Sequence, residues 1–343
     1  MRVKTLWVRE PYLAQILEGA KTIEVRVGYD NVRRLAPGDR LRLNDQHLAE
    51  IRRVAQYDDF AALTAAEEAG AIAPGLPPDE LLAALRDIYP PEKEALGAVA
   101  LEINLCRYDA VLFDMGYTLV YFEPPQAEIV QAALRAIGAE RSVEQILEAV
   151  EVVWGEYYRH AETETFPPTE EYDREAGFRL STGLLAELGL PSDRETWRVY
   201  DEALEEGFAR PGALQPYPET VEVLDRLQVM GYRLGIVSNW SWNLRQRVAQ
   251  AGLEGYFEVV WASAYAGCNK PHPRIFRQAL EQMALDAGRA MYVGDSYRHD
   301  VGGARAAGLD PVLVLREDGG GGEAQDYDCP VIPDLGGLLS LLR

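Results

Sequence analysis

The spacing of apolar and polar residues changes character near residue 105. Before it, RVKTLWV, KTIEVRV, DRLRLN, LAEIRRVAQY and GAVALEINL interleave Val, Ile and Leu with polar residues, the period-two signature of half-buried strands. A short helix, PYLAQILEG, is closed by Gly19, helical spacing recurs in FAALTAAEEAG and DELLAALRDIY, and IAPGLPP reads as a loop. Residues 1–105 are therefore predicted to form a small, mostly antiparallel β-barrel with helical insertions. From Cys106 onward, the short apolar runs AVLFD, YRLGIVSN, FEVVWAS, AMYVGD and PVLVL alternate with helical patterns such as TVEVLDRLQVMG, NLRQRVAQAGL and RIFRQALEQMAL. That alternation predicts right-handed βαβ units and a parallel sheet covered on both faces. Residues 122–211 interrupt it with QAEIVQAALRAIG, VEQILEAVEVVWGEYYRHAE and DREAGFRLSTGLLAELGL. These predict a helical insertion after the first strand of a 106–343 domain whose core is 106–121 and 212–343.

Composition narrows the class. A chain of 343 residues accommodates two domains and an insertion. No apolar run approaches the length of about 18 residues that a membrane span needs, so no membrane partner is expected. The opening MRVKTLWVRE carries charge where a signal peptide has its apolar stretch, and Cys106, Cys268 and Cys329 show neither disulfide nor metal-ligand spacing. A cytoplasmic location with reduced thiols is predicted. The net charge of −21 argues against broad nucleic-acid binding, yet it is uneven: residues 1–105 hold 13 Lys+Arg against 17 Asp+Glu, and the first 53 hold 11 against 7. That local basic balance leaves room for a phosphate-bearing ligand at the N-terminal domain. The Gly319–Gly322 run reads as a flexible loop and not a phosphate cradle, because no helix with Lys-Ser/Thr follows it.

Candidate chemistry gathers at the ends of successive predicted strands. Asp114 ends AVLFD, with Thr118 four residues on; Ser238 and Asn239 end YRLGIVSN; Lys270 lies in GCNKPHPRIF; Asp295 ends AMYVGD, with Asp300 beyond it. The C-terminal ends of parallel strands converge on one crevice, so these residues are expected to meet. Two acids from separate strands suit Mg²⁺, a hard ion that takes oxygen ligands. Asp114 would attack phosphorus, Ser238, Asn239 and Thr118 would bind phosphate oxygens, and Lys270 would supply positive charge. Asp300 would orient Lys270 or the metal's waters.

The motifs FDMGYTL, VSN, NKPHPRIF and VGDSYRHD resemble the haloacid dehalogenase superfamily, in its branch with a helical cap between the first two motifs. The resemblance covers about residues 106–343 and implies an α/β Rossmann-like core with an inserted cap, and most often Mg²⁺-dependent phosphatase activity. It makes Asp114 the nucleophile, Ser238 and Lys270 phosphate ligands, and Asp114, Asp295, Asp300 and the Gly116 backbone carbonyl the metal site. The implied substrate is a small phosphorylated metabolite. One departure matters: the family's phosphatases read Asp-x-Asp-Gly-Thr, whereas this chain reads Asp-Met-Gly-Tyr-Thr, with Gly116 where the general acid stands. The family's dehalogenases also lack that acid but need no metal, so carbon–halogen hydrolysis by Asp114 and a non-catalytic RNA or nucleotide sensor stay open as alternatives. His160 in the cap and His299 are candidate replacement acids.

KTIEVR, the LAPGD turn and IYPPEKE resemble the ASCH domain, a PUA-like β-barrel, over nearly all of residues 1–105. That likeness implies an RNA or nucleotide-like ligand in a cleft lined by Lys21, Glu24 and Arg26. Ion pairs that merely brace the barrel are the alternative reading of those three residues. A branch of the family that hydrolyses an acylated cytidine has Thr where this chain has Glu24.

Overall fold

The computed structural model describes residues 2–316 and 327–342; the Gly319–Gly322 run lies outside them. The chain divides into two compact units, one running to Asp109 and taking in Arg226–Tyr232, the other beginning at Ala110.

The first unit is built on β1 (Val3–Leu6), β2 (Ile23–Val27), β3 (Arg40–Leu43), β4 (His47–Tyr57) and β5 (Ala98–Leu105), in sheet order β1-β3-β4-β5-β2. Only β1 and β3 run parallel, so the half-barrel is mixed, with β1 and β2 as its edges. Strand alternation sorts β5 onto two cores. Val99, Leu101 and Ile103 pack with Leu13, Ile16 and Leu41, while Ala98 and Ala100 pack with Phe60, Leu63, Leu81 and Leu85 from the helices Phe60–Ala66 and Pro78–Ile88.

The strands of the second unit are β6 (Ala110–Phe113), β7 (Val120–Phe122), β8 (Leu214–Pro216), β9 (Arg233–Ser238), β10 (Val259–Ala262), β11 (Ala290–Gly294), β12 (Asp310–Val314) and β13 (Val331–Ile332). Six of them form a parallel sheet in the order β10-β9-β6-β11-β12-β13. Every residue of β6 is buried, as a strand covered on both faces requires. Its place between β9 and β11 brings the ends of those two strands to either side of Asp114.

β7 and β8 pair antiparallel, Phe122 opposite Leu214, and the cap lies between them. Three cap helices follow the predicted periodicity: Gln126–Ala136, Val143–Tyr157 and Glu170–Glu187. Ser142 and Gln145 start the second with a reciprocal capping box. The fourth, Arg194–Ala209, is more polar along its length and is started by Asp193, whose carboxylate accepts from two backbone amides. Together they enclose a core of their own around Leu134, Ile146, Leu184, Leu185 and Tyr200. Among the described residues no helix is long and apolar enough to cross a membrane.

Candidate active site

The strand ends deliver Asp114, Ser238 and Asp295 to one cleft of about 300 Å³, which Lys270, Asn239, Gly116, His299 and Asp300 also line. Lys270 is its electrostatic centre. The side chain is 2% exposed, and Nζ lies 2.7 Å from Asp114 Oδ1 and 2.6 Å from Asp300 Oδ1. Nζ also donates to the Tyr292 hydroxyl at 3.1 Å, and that hydroxyl donates to the Val237 carbonyl at 2.7 Å. Burial alone would push the ammonium toward neutrality, but Asp114 and Asp300 outweigh it and hold its pKa above the ordinary lysine value.

The loop carrying Lys270 is held by Asn239. The Asn239 side-chain oxygen accepts from the Lys270 amide at 2.6 Å, and its side-chain nitrogen donates to the Lys270 carbonyl at 3.2 Å. The Asn239 side chain thereby holds the Lys270 loop, whereas the sequence expectation for Asn239 concerned its amide nitrogen as a phosphate donor.

Asp300 reaches the site through a π-helical turn, Tyr297–Gly302, in which the Asp300 and Val301 amides both donate to the Ser296 carbonyl. Its carboxylate is already engaged: Oδ1 meets Lys270, and Oδ2 accepts from the Ser296 amide at 2.9 Å. Expected from sequence as a metal ligand or as the group that orients Lys270, it contacts Lys270 here and also lies within the three-carboxylate group. Gly294 makes room for it, because a β-carbon there would fall 2.3 Å from Asp300 Cγ.

Thr118 corrects a prediction. Expected as a phosphate ligand, it is fully buried, does not line the cleft, and donates its hydroxyl to Asp295 Oδ1 at 3.1 Å. Ser238 lines the cleft as expected. Of the two histidines, His160 is exposed and does not line the cleft, whereas His299 does, with Nε2 buried and unpartnered and its ring 5.2 Å from that of Tyr158. Burial, with Lys270 and Arg298, holds the His299 pKa below the ordinary histidine value.

The charges do not balance. Asp114, Asp295 and Asp300 each offer an oxygen within 4.8 Å of the other two, and a single lysine faces them. Burial pushes the Asp114 carboxyl up, partly offset by Lys270. Burial, then Asp114 and Asp300, push Asp295 up to about 8. Such a surplus of anionic oxygen fits a hard divalent cation, and Asp114 and Asp295 are the carboxylates with least competing engagement. Gly116 leaves space where a phosphatase has its acid: a β-carbon there would sit 3.6 Å from the Trp240 ring, an ordinary contact.

A family profile for haloacid dehalogenase-like hydrolases matches residues 108–308. This chain belongs to that family. The ASCH domain profile matches residues 6–107. Haloacid dehalogenase-like hydrolase domain-containing protein 3 of Mus musculus is 31% identical to the hydrolase over 215 residues, 59% of this chain and 80% of that one. A glyceraldehyde 3-phosphate phosphatase of Methanothermobacter thermautotrophicus is 33% identical over 137 residues, 38% of this chain and 59% of that one, so less than two thirds of that relative is spanned. The fold is shared with the magnesium-bound HAD-hydrolase YfnB of Bacillus subtilis, with a TM-score of 0.55 and 21% identity over 69% of this chain and 99% of that one.

The hydrolase's ASCH domain has a cavity of its own, about 240 Å³, lined by Trp7, Tyr12, Lys21, Glu24, Arg26 and Tyr89 among others. Lys21 precedes β2 instead of lying on it. Its three donors are spent: Nζ lies 2.6 Å from the Ile23 carbonyl, 2.7 Å from the Ile72 carbonyl and 3.2 Å from Glu24 Oε2. Arg26 pairs with Glu24 at 3.0 Å and donates to the Trp7 carbonyl at 2.7 Å, leaving its buried Nε without a partner. The trio thus lines the cavity and braces its wall at once.

Residues that sequence reasoning missed are Tyr292, which seats Lys270, and Trp240, which faces Gly116. Tyr292 had a signal: a phenol inside the buried strand AMYVG needs a polar partner.

Proposed function

We propose that the hydrolase cleaves small phosphomonoesters, with Asp114 as the nucleophile and Mg²⁺ as the cofactor. The observation carrying this reading is the Asp114–Lys270–Asp300 arrangement beside Asp295 at the ends of β6 and β11. The archaeal relative's name, a phosphatase of glyceraldehyde 3-phosphate, agrees with it. An Asp114 carboxylate oxygen attacks phosphorus as the ester oxygen departs with the bonding pair, leaving an aspartyl phosphate. Water then attacks that phosphorus, releasing inorganic phosphate and restoring the carboxylate. Lys270, fixed by Asp300, Tyr292 and Asn239, places a cation beside Asp114, where its charge offsets that of the phosphoryl oxygens. Ser238, at the end of β9, is the candidate hydroxyl donor to the same oxygens. Asp114 and Asp295, with the Gly116 carbonyl, would hold Mg²⁺, which when bound neutralises phosphoryl charge. Dehalogenation would use the same Asp114 but gains nothing from a surplus of three carboxylates against one lysine.

Phosphate release from p-nitrophenyl phosphate and from an alkyl phosphate, with and without Mg²⁺, tests the reading alongside Asp114→Asn. Turnover that requires both Mg²⁺ and Asp114 is expected; metal-independent halide release from a 2-haloacid would replace this reading with the dehalogenase one.

For the ASCH cavity the proposal is a small nucleotide-like ligand or a short RNA element. The ring surfaces of Tyr12, Tyr89 and Trp7 and the spare Arg26 Nε support it. Trp7 is 68% exposed, so titration of its fluorescence with nucleosides and short RNAs reads binding directly. A flat titration across all of them would leave Lys21, Glu24 and Arg26 a bracing role.

A further inference from the structure

We propose that the hydrolase is selective for aryl phosphates, seating the aromatic leaving group in a second cavity that adjoins the catalytic cleft on the cap side. The inference rests on the phosphatase reading and names its substrate class. Two independent features of the unit point to the same chemistry.

The first is the shape and lining of the space beside Asp114. A cavity of about 310 Å³ shares Phe122, Gln126, Tyr158, Asn239 and Trp240 with the catalytic cleft, so the two adjoin. Beyond that junction its walls include Trp154 and Tyr157 from the cap helix Val143–Tyr157 and Phe208 from the cap helix Arg194–Ala209. At the junction the rings of Phe122 and Trp240 lie nearly parallel, with centroids 6.3 Å apart and planes 12° from each other. A cavity of about 150 Å³ is enough to hold benzene, so this one accepts a substituted ring. A three-carbon leaving group has no aromatic face to offer these walls. Of the ionic groups there, Arg247 and Glu205 pair with each other at 2.8 Å and the Asp173 carboxylate accepts from the Trp242 amide at 2.9 Å, so each already has a partner.

The second feature is the lack of a committed proton donor. Gly116 carries no side chain, Asp300 is engaged with Lys270 and the Ser296 amide, and Asp295, touched by Thr118 at 3.1 Å, is assigned to the metal in the phosphatase reading. Breaking the P–O bond therefore leaves the electron pair on an oxygen that must carry it unaided. A phenol, with a pKa of about 10, does so far more readily than an alkanol, whose pKa is close to water's value of about 16. The phenolate departs as the anion and takes its proton from solvent, and water cleaves the aspartyl phosphate as before. The aromatic cavity thus selects the kind of leaving group that the missing acid demands.

The test uses the full chain with saturating Mg²⁺ and four substrates: phenyl phosphate, p-nitrophenyl phosphate, glyceraldehyde 3-phosphate and acetyl phosphate. Because general-acid help is worth about 10²–10⁴-fold, kcat/KM for phenyl phosphate is expected to exceed that for glyceraldehyde 3-phosphate by at least about 100-fold. Trp154→Ala should lower the phenyl-to-acetyl phosphate ratio of kcat/KM by about fivefold, mainly through KM, because acetyl phosphate has a good leaving group but no ring. Trp154→Phe should restore most of that ratio, which a folding defect would not allow. Turnover of glyceraldehyde 3-phosphate equal to that of phenyl phosphate overturns the proposal, leaves the phosphatase reading standing and directs mutagenesis to His299. Equal losses on both substrates in Trp154→Ala would also overturn it. Turnover of none of the four would overturn the phosphatase reading and this inference together.

Discussion

Each unit of the hydrolase buries a cluster of charge, and the two are balanced differently. Around Glu24, Lys21 and Arg26 supply two cations to one anion, and backbone carbonyls take up the rest of the lysine's donors. Around Lys270, three carboxylates face one cation. A buried ion is tolerated when its partners and hydrogen bonds replace the water it loses. The first cluster meets that condition from within except at Arg26 Nε, and stands as part of the wall. The second does not, and the deficit shows as carboxyls pushed toward their neutral forms. Uncompensated burial of like charge marks a site that awaits a ligand, whereas matched burial of charge is equally consistent with architecture.

The contrast can be broken most sharply at the nucleophile. Asp114→Asn should reduce phosphate release by at least about a thousand-fold, the scale on which removal of a covalent nucleophile acts. Residual activity near the wild-type level would show that the three-carboxylate cluster is not the reacting centre. Next come the two lysines. Lys270→Met leaves the clustered carboxylates without their cation and should cost about 3–5 kcal/mol of unfolding free energy. Lys21→Met leaves Glu24 still paired with Arg26 and should cost only about 1–3 kcal/mol. Chemical denaturation of both variants checks the order; equal losses would erase the distinction between the clusters.

Magnesium should act on one cluster only. At about a hundred times its dissociation constant it should add about 2.7 kcal/mol, seen as a rise in Tm that Asp295→Asn abolishes. The same site sets a pH dependence. The folded-state pKa of Asp295 is raised from 3.8 to about 8, so the folded protein holds a proton the unfolded chain has lost across that range. Its contribution to stability is full below about pH 4 and is lost as pH rises through about 8. Metal-free wild type should therefore lose Tm relative to Asp295→Asn over that window, and the gain from Mg²⁺ should grow with pH. The smallest effect is expected at Gly116, where the backbone admits a side chain. Gly116→Asp should raise turnover of glyceraldehyde 3-phosphate about tenfold, a barrier change of about 1.4 kcal/mol, and narrow its gap to phenyl phosphate.

Much of the fold was legible because its signals are local. The buried run of β6, the strand–helix alternation and the periodicity of the first three cap helices are properties of adjacent residues. The polar fourth helix was less visible, since only Tyr200 along it is buried. The parallel β1–β3 pair was not visible at all, because the direction of pairing between strands about 37 residues apart leaves no trace in either strand's own pattern. Asp114, Ser238, Lys270 and Asp295 line one cleft, the convergence their strand-end positions predicted. Thr118 was misjudged because a hydroxyl four residues after the nucleophile can face the substrate or a neighbouring strand, and only packing chooses.

The sequence by itself determined that these groups would meet, since parallel strands bring their C-terminal ends to one edge and the motifs follow those ends in order. It also determined that no acid stands at position 116. The tertiary structure decided what each group touches there. Asn239 and Asp300 reach Lys270 across 31 and 30 residues, Thr118 reaches Asp295 across 177, and Trp240 comes to lie against Gly116. Hydrogen bonds and ring contacts are settled over a few ångströms, and such distances between residues far apart in the chain exist only once the sheet has assembled.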